Sequence, residues 1–283
     1  MTTTPAPTTS TGLKNAVIQP LTSQYKTVAT GTATTAKPTV PVQASADLHV
    51  DPKDADLLKP ASIVTQKIYG YLEHGKRSAT NAIVLHMTGG SADGVLAQIA
   101  EKFDANGNPP DGAHFLIRKD GEIIQTAKLS YLTQHVGNIR PKGYQPNGDN
   151  DNHEDQKLLT ADETDVLRDK KLTFKKKLKE LNHLQLKKPY GSDPKDNRTR
   201  YPGNIDAIGI EFESENDAKT KPNSQKNVKY QDLTEPQVKS GKLLVNFLKE
   251  QYTNITNADV YEHPSISYKK QGEAHGTKEE VSK

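Results

Sequence analysis

Nine histidines and no cysteine define the chemistry open to this 283-residue chain. Without cysteine there is no disulfide framework and no thiolate metal site, so a metal must be held by His, Asp or Glu. His86 closes the apolar run Ala82-Ile83-Val84-Leu85 and is followed by Met87-Thr88-Gly89-Gly90. Its imidazole therefore stands where a strand opens onto a loop, the place where α/β sheets collect ligands. His263 lies in YEHPSISYKKQGEAH, with Glu273 ten residues later and His275 twelve. Two histidines and one carboxylate make a three-ligand zinc site whose fourth position is open to water, the catalytic arrangement. Glu211 belongs to DAIGIEF, where Ile208, Ile210 and Phe212 alternate with Gly209 and Glu211. A glycine two residues before the carboxylate leaves room beside it. Such a Glu either reaches a substrate or a metal-activated water, or lies on a solvated strand face.

The other histidines carry less. His114 alternates with Ala113 and Phe115 in a strand and reads as packed or hydrogen-bonded in preference to catalytic. His49 adjoins a low-complexity arm, and His153 and His183 fall in a charged block.

The elements that must position these groups follow from local patterns. Ala82–His86 reads as a buried strand, and Val95, Leu96, Ile99 and Phe103 repeat at helical spacing over 92–103. Residues 113–118 and 122–126 flank Lys119-Asp120-Gly121, a hairpin signal. Residues 206–212 form another strand. A helix starts at Glu235, with Thr234 as N-cap, Gln237 completing a capping box and Leu233 able to staple onto Val238. Strands alternating with helices predict an α/β fold, a mixed central sheet flanked by helices.

Composition restricts the ordered part. Only 33% of the chain is hydrophobic and 6% aromatic, below the usual roughly 45–50% apolar even after its 19 glycines are counted. That excludes a membrane-spanning protein, and a net charge of +3 is too balanced to suggest nucleic acid. Residues 1–46 hold no Asp or Glu, only three lysines, and much Thr, Pro, Ala and Ser. This composition predicts a disordered or extended arm over residues 1–60, a linker or a docking arm for a carrier. Its start has neither a basic n-region nor a long apolar run, so a secretory leader is not expected. The domain proper is expected over 61–283. A charged insertion at about 138–204, acidic then lysine-rich, is expected to form one or two solvated surface helices.

In order along the chain, IVLHMTGG, GAHFLIRKDGEIIQT with QHVGNI, RYPGNIDAIGIEFES and VYEHPSISYKKQGEAHGT resemble the zinc-dependent N-acetylmuramoyl-L-alanine amidases, the type 2 amidase family of the peptidoglycan-recognition-protein-like fold. The four blocks span Ile83 to Thr277, about two thirds of the chain. The resemblance implies Zn²⁺ held by His86, His263 and Glu273, with His275 as rival third ligand. It implies Glu211 as the group that helps activate the water, because Ala113 stands where many members have a tyrosine. Lys269 or Lys270 would assist catalysis by steadying the oxyanion, and His135, His114 and Thr88 would contact the substrate.

The implied reaction is hydrolysis of the amide between N-acetylmuramic acid and L-alanine of the peptidoglycan stem peptide. Two alternatives are a non-catalytic peptidoglycan-binding module of the same fold and a phage endolysin. The block pattern looks most like amidases associated with bacterial type VI secretion. That implies a cytoplasmically made antibacterial effector acting in a target cell's periplasm, with a secretion-apparatus carrier and an immunity protein as partners.

Overall fold

Short aliphatic and β-branched runs become strands, and they assemble around the longest two. The computed structural model describes residues 48–101, 109–142, 159–216, 228–268 and 273–282. β1 (Val50–Asp51) and β2 (Asp54–Leu58) form a small antiparallel hairpin. The main sheet comprises β3 (Val64–Gln66), β4 (Ala82–Gly89), β5 (Phe115–Ile117), β6 (Ile123–Gln125), β7 (Ala207–Glu215) and β8 (Val260–Glu262), in the order β3-β6-β5-β7-β4-β8. β5, β7, β4 and β8 run parallel; β6 turns back antiparallel to β5. The sheet is mixed, as the alternation of elements predicts. Among the described residues no helix is long and apolar enough to cross a membrane.

The β5–β6 turn uses Gly121 at φ +86°, where a Cβ would also lie 2.9 Å from the Pro236 carbonyl oxygen. Glycine is needed there for both reasons. α1 (Ala92–Ala100) starts at Ser91, whose hydroxyl accepts from the Gly94 N–H. α4 (Glu235–Gln251) carries the expected capping box between Thr234 and Gln237. Its Leu244, Val245 and Leu248 pack with Leu85, Ile208, Ile210 and Phe212 in the main core, so α4 covers one sheet face. On β5 and β6, Leu116 and Ile124 point away from that core, and α1 packs Leu96 against them.

Two expectations change. The arm boundary at residue 60 falls too late, because the β1–β2 hairpin lies before it. Leu58 is fully buried there, with its N–H donating to Gln125 Oε1 at 2.7 Å. The insertion does form two helices, α2 (Ala161–Arg168) and α3 (Phe174–Leu186), but it is not merely a solvated face. Leu181 and Gln185 are buried, Glu163 pairs with Lys188, and Tyr201 joins a core with Val84, Ala207 and Tyr261. Most of its described lysines are exposed, but Lys142 is buried and Lys188 half-buried. Residues 143–158, including the acidic run with His153, lie outside the described residues, as do residues 1–47.

Candidate active site

Three neighbouring parallel strands deliver the chemistry. In register, His86 on β4 pairs with Glu211 on β7, and Leu85 pairs with Glu262 on β8. One step further places His263, the first residue of α5 (His263–Ile266), beside His86, with ring centroids 4.3 Å apart. Glu211, His86 and His263 thus form a row at the carboxyl ends of the strands.

Glu273 closes the group from a turn in which Ala274 takes φ 59° and Gly276 φ 79°. A non-glycine residue in the left-handed region is held there by its surroundings, and Ala274 is fully buried in the main core. Glu273 Oε1 lies 3.0 Å from His263 Nδ1 and 3.5 Å from His86 Nδ1.

The surrounding acceptors assign the protons. His263 Nε2 lies 2.8 Å from the Val136 carbonyl oxygen, and His135 Nε2 lies 3.3 Å from that of Ala207. A carbonyl only accepts, so both of these nitrogens carry hydrogen. His135 Nδ1 is then an acceptor, and His86 Nε2, 3.0 Å away, donates to it. The Nδ1 lone pairs of His86 and His263 are consequently both aimed at a carboxylate oxygen. In that tautomer three lone-pair atoms lie within 4.8 Å of one another, in a buried place. Such a donor set calls for a cation, and its ligand types suit a metal of the borderline-soft class.

With protons in place of an ion, the same two Nδ1 atoms donate to the carboxylate, and the electrostatics show how strongly the place holds positive charge. Burial alone would push the Glu273 carboxyl up, but its contacts with His263 and His86 more than offset this and leave it well below the usual carboxylate range. Burial, then the neighbouring His86, His114 and His263, holds His135 well below the ordinary histidine value, and so neutral. The group opens into a cleft of about 290 Å³ that Glu211, Ala113 and Asn204 also line.

The structure thus brings together His86, His263, Glu273 and Glu211. His275 is exposed and outside the cluster. Lys269 and Lys270 lie outside the described residues. Of the three expected substrate contacts, His135 and Thr88 line the cleft and His114 is not among its lining residues. His114 is fully buried: its Nδ1 accepts the Gly209 N–H and its Nε2 reaches the Tyr131 carbonyl. His135 lines the cleft, but both its ring nitrogens are engaged, by His86 and Ala207. Thr88 also lines it, yet its hydroxyl donates to the Gly90 carbonyl and accepts the Ser214 N–H, clipping β4 to β7. The space beside Gly209 is filled by the His135 ring: a Cβ there would lie 2.8 Å from His135 Nδ1. Asn204 and the Val136 carbonyl were not found by sequence reasoning, because a turn asparagine and a backbone oxygen carry no pattern of their own.

Residues 76–278 match the family described as N-acetylmuramoyl-L-alanine amidase. The chain belongs to the N-acetylmuramoyl-L-alanine amidase family. No curated protein matches this amidase chain in sequence. Among solved structures it is similar to the amidase LysC from Clostridium intestinale, at 17% identity and TM-score 0.36, covering 71% of this chain and 84% of that one. A selenomethionine AmpD derivative gives 16% and 0.40, covering 73% and 84%. Drosophila peptidoglycan recognition protein SD gives 11% and 0.33, covering 72% and 85%. Membership rests on the family match across most of the chain; the amidase activity on peptidoglycan goes with it.

Proposed function

We propose that this amidase is a zinc hydrolase that cleaves the bond between the lactyl carbonyl of N-acetylmuramic acid and the L-alanine nitrogen. The carrying observation is the convergence of His86 Nδ1, His263 Nδ1 and Glu273 Oε1 on one point beside Glu211. These three atoms would hold the ion. When bound, zinc supplies Lewis acidity toward the amide carbonyl and lowers the pKa of water toward ~7.

The chain's own residues do the rest. The cleft-lining carboxylates among the described residues are Asp111, Glu211 and Glu273. Glu273 is committed to the histidines and Asp111 is exposed, so we assign proton transfer to the half-buried Glu211. Its carboxylate takes a proton from the attacking water and returns it to the departing alanine nitrogen, as base and then acid. The Nε2–H bonds of His86 and His263 keep both rings in the ligating tautomer. A peptidoglycan-binding module without turnover would be favoured by an absent third ligand; Glu273 within 3.0–3.5 Å of both histidines supports the enzyme instead.

The test is digestion of purified peptidoglycan followed by mass spectrometry. Stem peptides with a free L-Ala amino terminus are expected; cuts within the stem would refute the bond assignment. Glu211→Gln should keep zinc and lose about 10²–10⁴ in rate. Undiminished turnover in that variant removes Glu211 from the mechanism.

The setting we propose is attack on a neighbouring bacterium's wall, supported by the likeness of the motif blocks to type VI-associated amidases. Expression directed to the periplasm should lyse cells while cytoplasmic expression does not; equal tolerance of both would count against it.

A further inference from the structure

One loop supports both metal-ligating histidines from behind. His135 accepts the Nε2–H of His86, and the next residue, Val136, accepts the Nε2–H of His263 through its carbonyl. One side-chain atom takes the backbone N–H groups of both residues. Asn204 Oδ1 accepts the N–H of His135 at 3.0 Å and of Val136 at 2.7 Å. Successive N–H groups converging like this, with Gly137 at φ +68° following, make a concavity of the kind that takes an anion. Here a neutral side-chain oxygen fills it.

Asn204 is firmly placed in turn. It sits in the turn between Arg200 and Asp206, which pair at 2.7 Å while buried. The second Asp206 oxygen accepts the Gly203 N–H at 2.8 Å, and the Asp206 carbonyl accepts from Asn81 at the start of β4. A second clamp comes from α3, where Asn182 Oδ1 accepts the Ile139 N–H at 2.9 Å. Both clamps belong to the long insertion.

We propose that Asn204 is a positioning residue for the metal centre: through His135 and Val136 it orients the rings of His86 and His263, so the insertion completes the metal site. This rests on the zinc reading above. A ligating histidine loses affinity when its outer partner is lost, typically by 10- to 100-fold. Releasing Asn204 disturbs the outer partners of two ligands at once, whereas loss of His135 disturbs one.

The test measures zinc dissociation constants by chelator competition, and the visible absorption of the cobalt-substituted protein, in the full chain. Wild type, Asn204→Leu, Asn204→Asp, His135→Leu and His135→Gln are compared, with circular dichroism as the folding control. Asn204→Leu and His135→Leu should weaken zinc about 10- to 100-fold and alter the cobalt spectrum, which reports ligand geometry. Asn204→Asp keeps an oxygen for both N–H groups and His135→Gln keeps an acceptor for His86; each should recover most of the affinity. Wild-type affinity in Asn204→Leu, or equal loss in the Leu and conservative variants, overturns the positioning role while leaving the zinc reading intact. A wild-type protein that binds no zinc overturns both. Should Asn204→Leu fail to fold, Asn204→Ala, which removes the Oδ1 acceptor without adding bulk, takes its place with the same expected loss.

Discussion

Gly209→Ala tests the packing behind the metal site, and its size can be worked from distances. A Cβ at residue 209 would lie 2.8 Å from His135 Nδ1, 2.9 Å from its Cγ and 3.0 Å from the Ala113 Cβ, where ordinary contact begins at 3.4 Å. The ring must withdraw by about 0.6 Å, away from a 3.0 Å hydrogen bond to His86 that weakens quickly with distance. Overpacking of this kind costs about 1–3 kcal/mol, and the lower entropy of an unfolded alanine returns about 0.4–1 kcal/mol. The metal-free variant should therefore be less stable by about 1–2 kcal/mol in urea denaturation. Its zinc affinity should fall about 10- to 100-fold, or about 1.4–2.7 kcal/mol. A double-mutant cycle isolates the cause: in a His135→Ala background, Gly209→Ala should cost almost no further zinc affinity. Unchanged zinc binding in Gly209→Ala, or a full penalty persisting without His135, would refute the reasoning.

Other consequences follow from the same geometry. Glu273→Gln replaces an anion between two lone pairs with a neutral amide and should abolish stoichiometric zinc at micromolar chelator, with the fold retained by circular dichroism; retained zinc would exclude Glu273 as ligand. Burial and the nearby Arg77 lower His114 from 6.5 to about 3, so between these values the native state binds fewer protons than the unfolded chain. Its stabilising effect is complete above pH 6.5 and is lost on acidification, by about 2 kcal/mol at pH 5. His114→Gln should thus lose about 2 kcal/mol less than wild type between pH 7 and pH 5; parallel losses would contradict a neutral buried His114. Asp206→Ala leaves the buried Arg200 guanidinium unpaired and should cost about 3–5 kcal/mol in denaturant unfolding, and a cost below 1 kcal/mol would show the pair to be dispensable.

Local patterns carried far in this chain. The Thr234/Gln237 capping box, the Asp-Gly hairpin and the two long strands each depend on residues within a few positions of one another, and each is found. The alternation in β7 assigned Ile208, Ile210 and Phe212 to one face and Glu211 to the other. It could not say that the space beside Gly209 belongs to a histidine 74 residues earlier. The insertion was harder to read because its composition is that of a solvated surface. Its docking depends on a few residues, Leu181, Gln185 and Tyr201, diluted among lysines. Short strands such as β3 and β8 have three residues each and too little pattern to stand out.

The sequence by itself determined which groups were available: histidines and carboxylates in place of thiolates, on strand ends, in a family's order. Period-two alternation could place Glu211 on the face opposite Ile208, Ile210 and Phe212 because that is a property of a single strand. Placing Glu273 and not His275 beside the two histidines, and His135 behind His86, required knowing that β7, β4 and β8 lie side by side and which backbone oxygens stand behind each ring. Those are contacts between segments tens to more than a hundred residues apart, set by packing of the whole sheet and not by any local spacing. Only the tertiary structure could decide them.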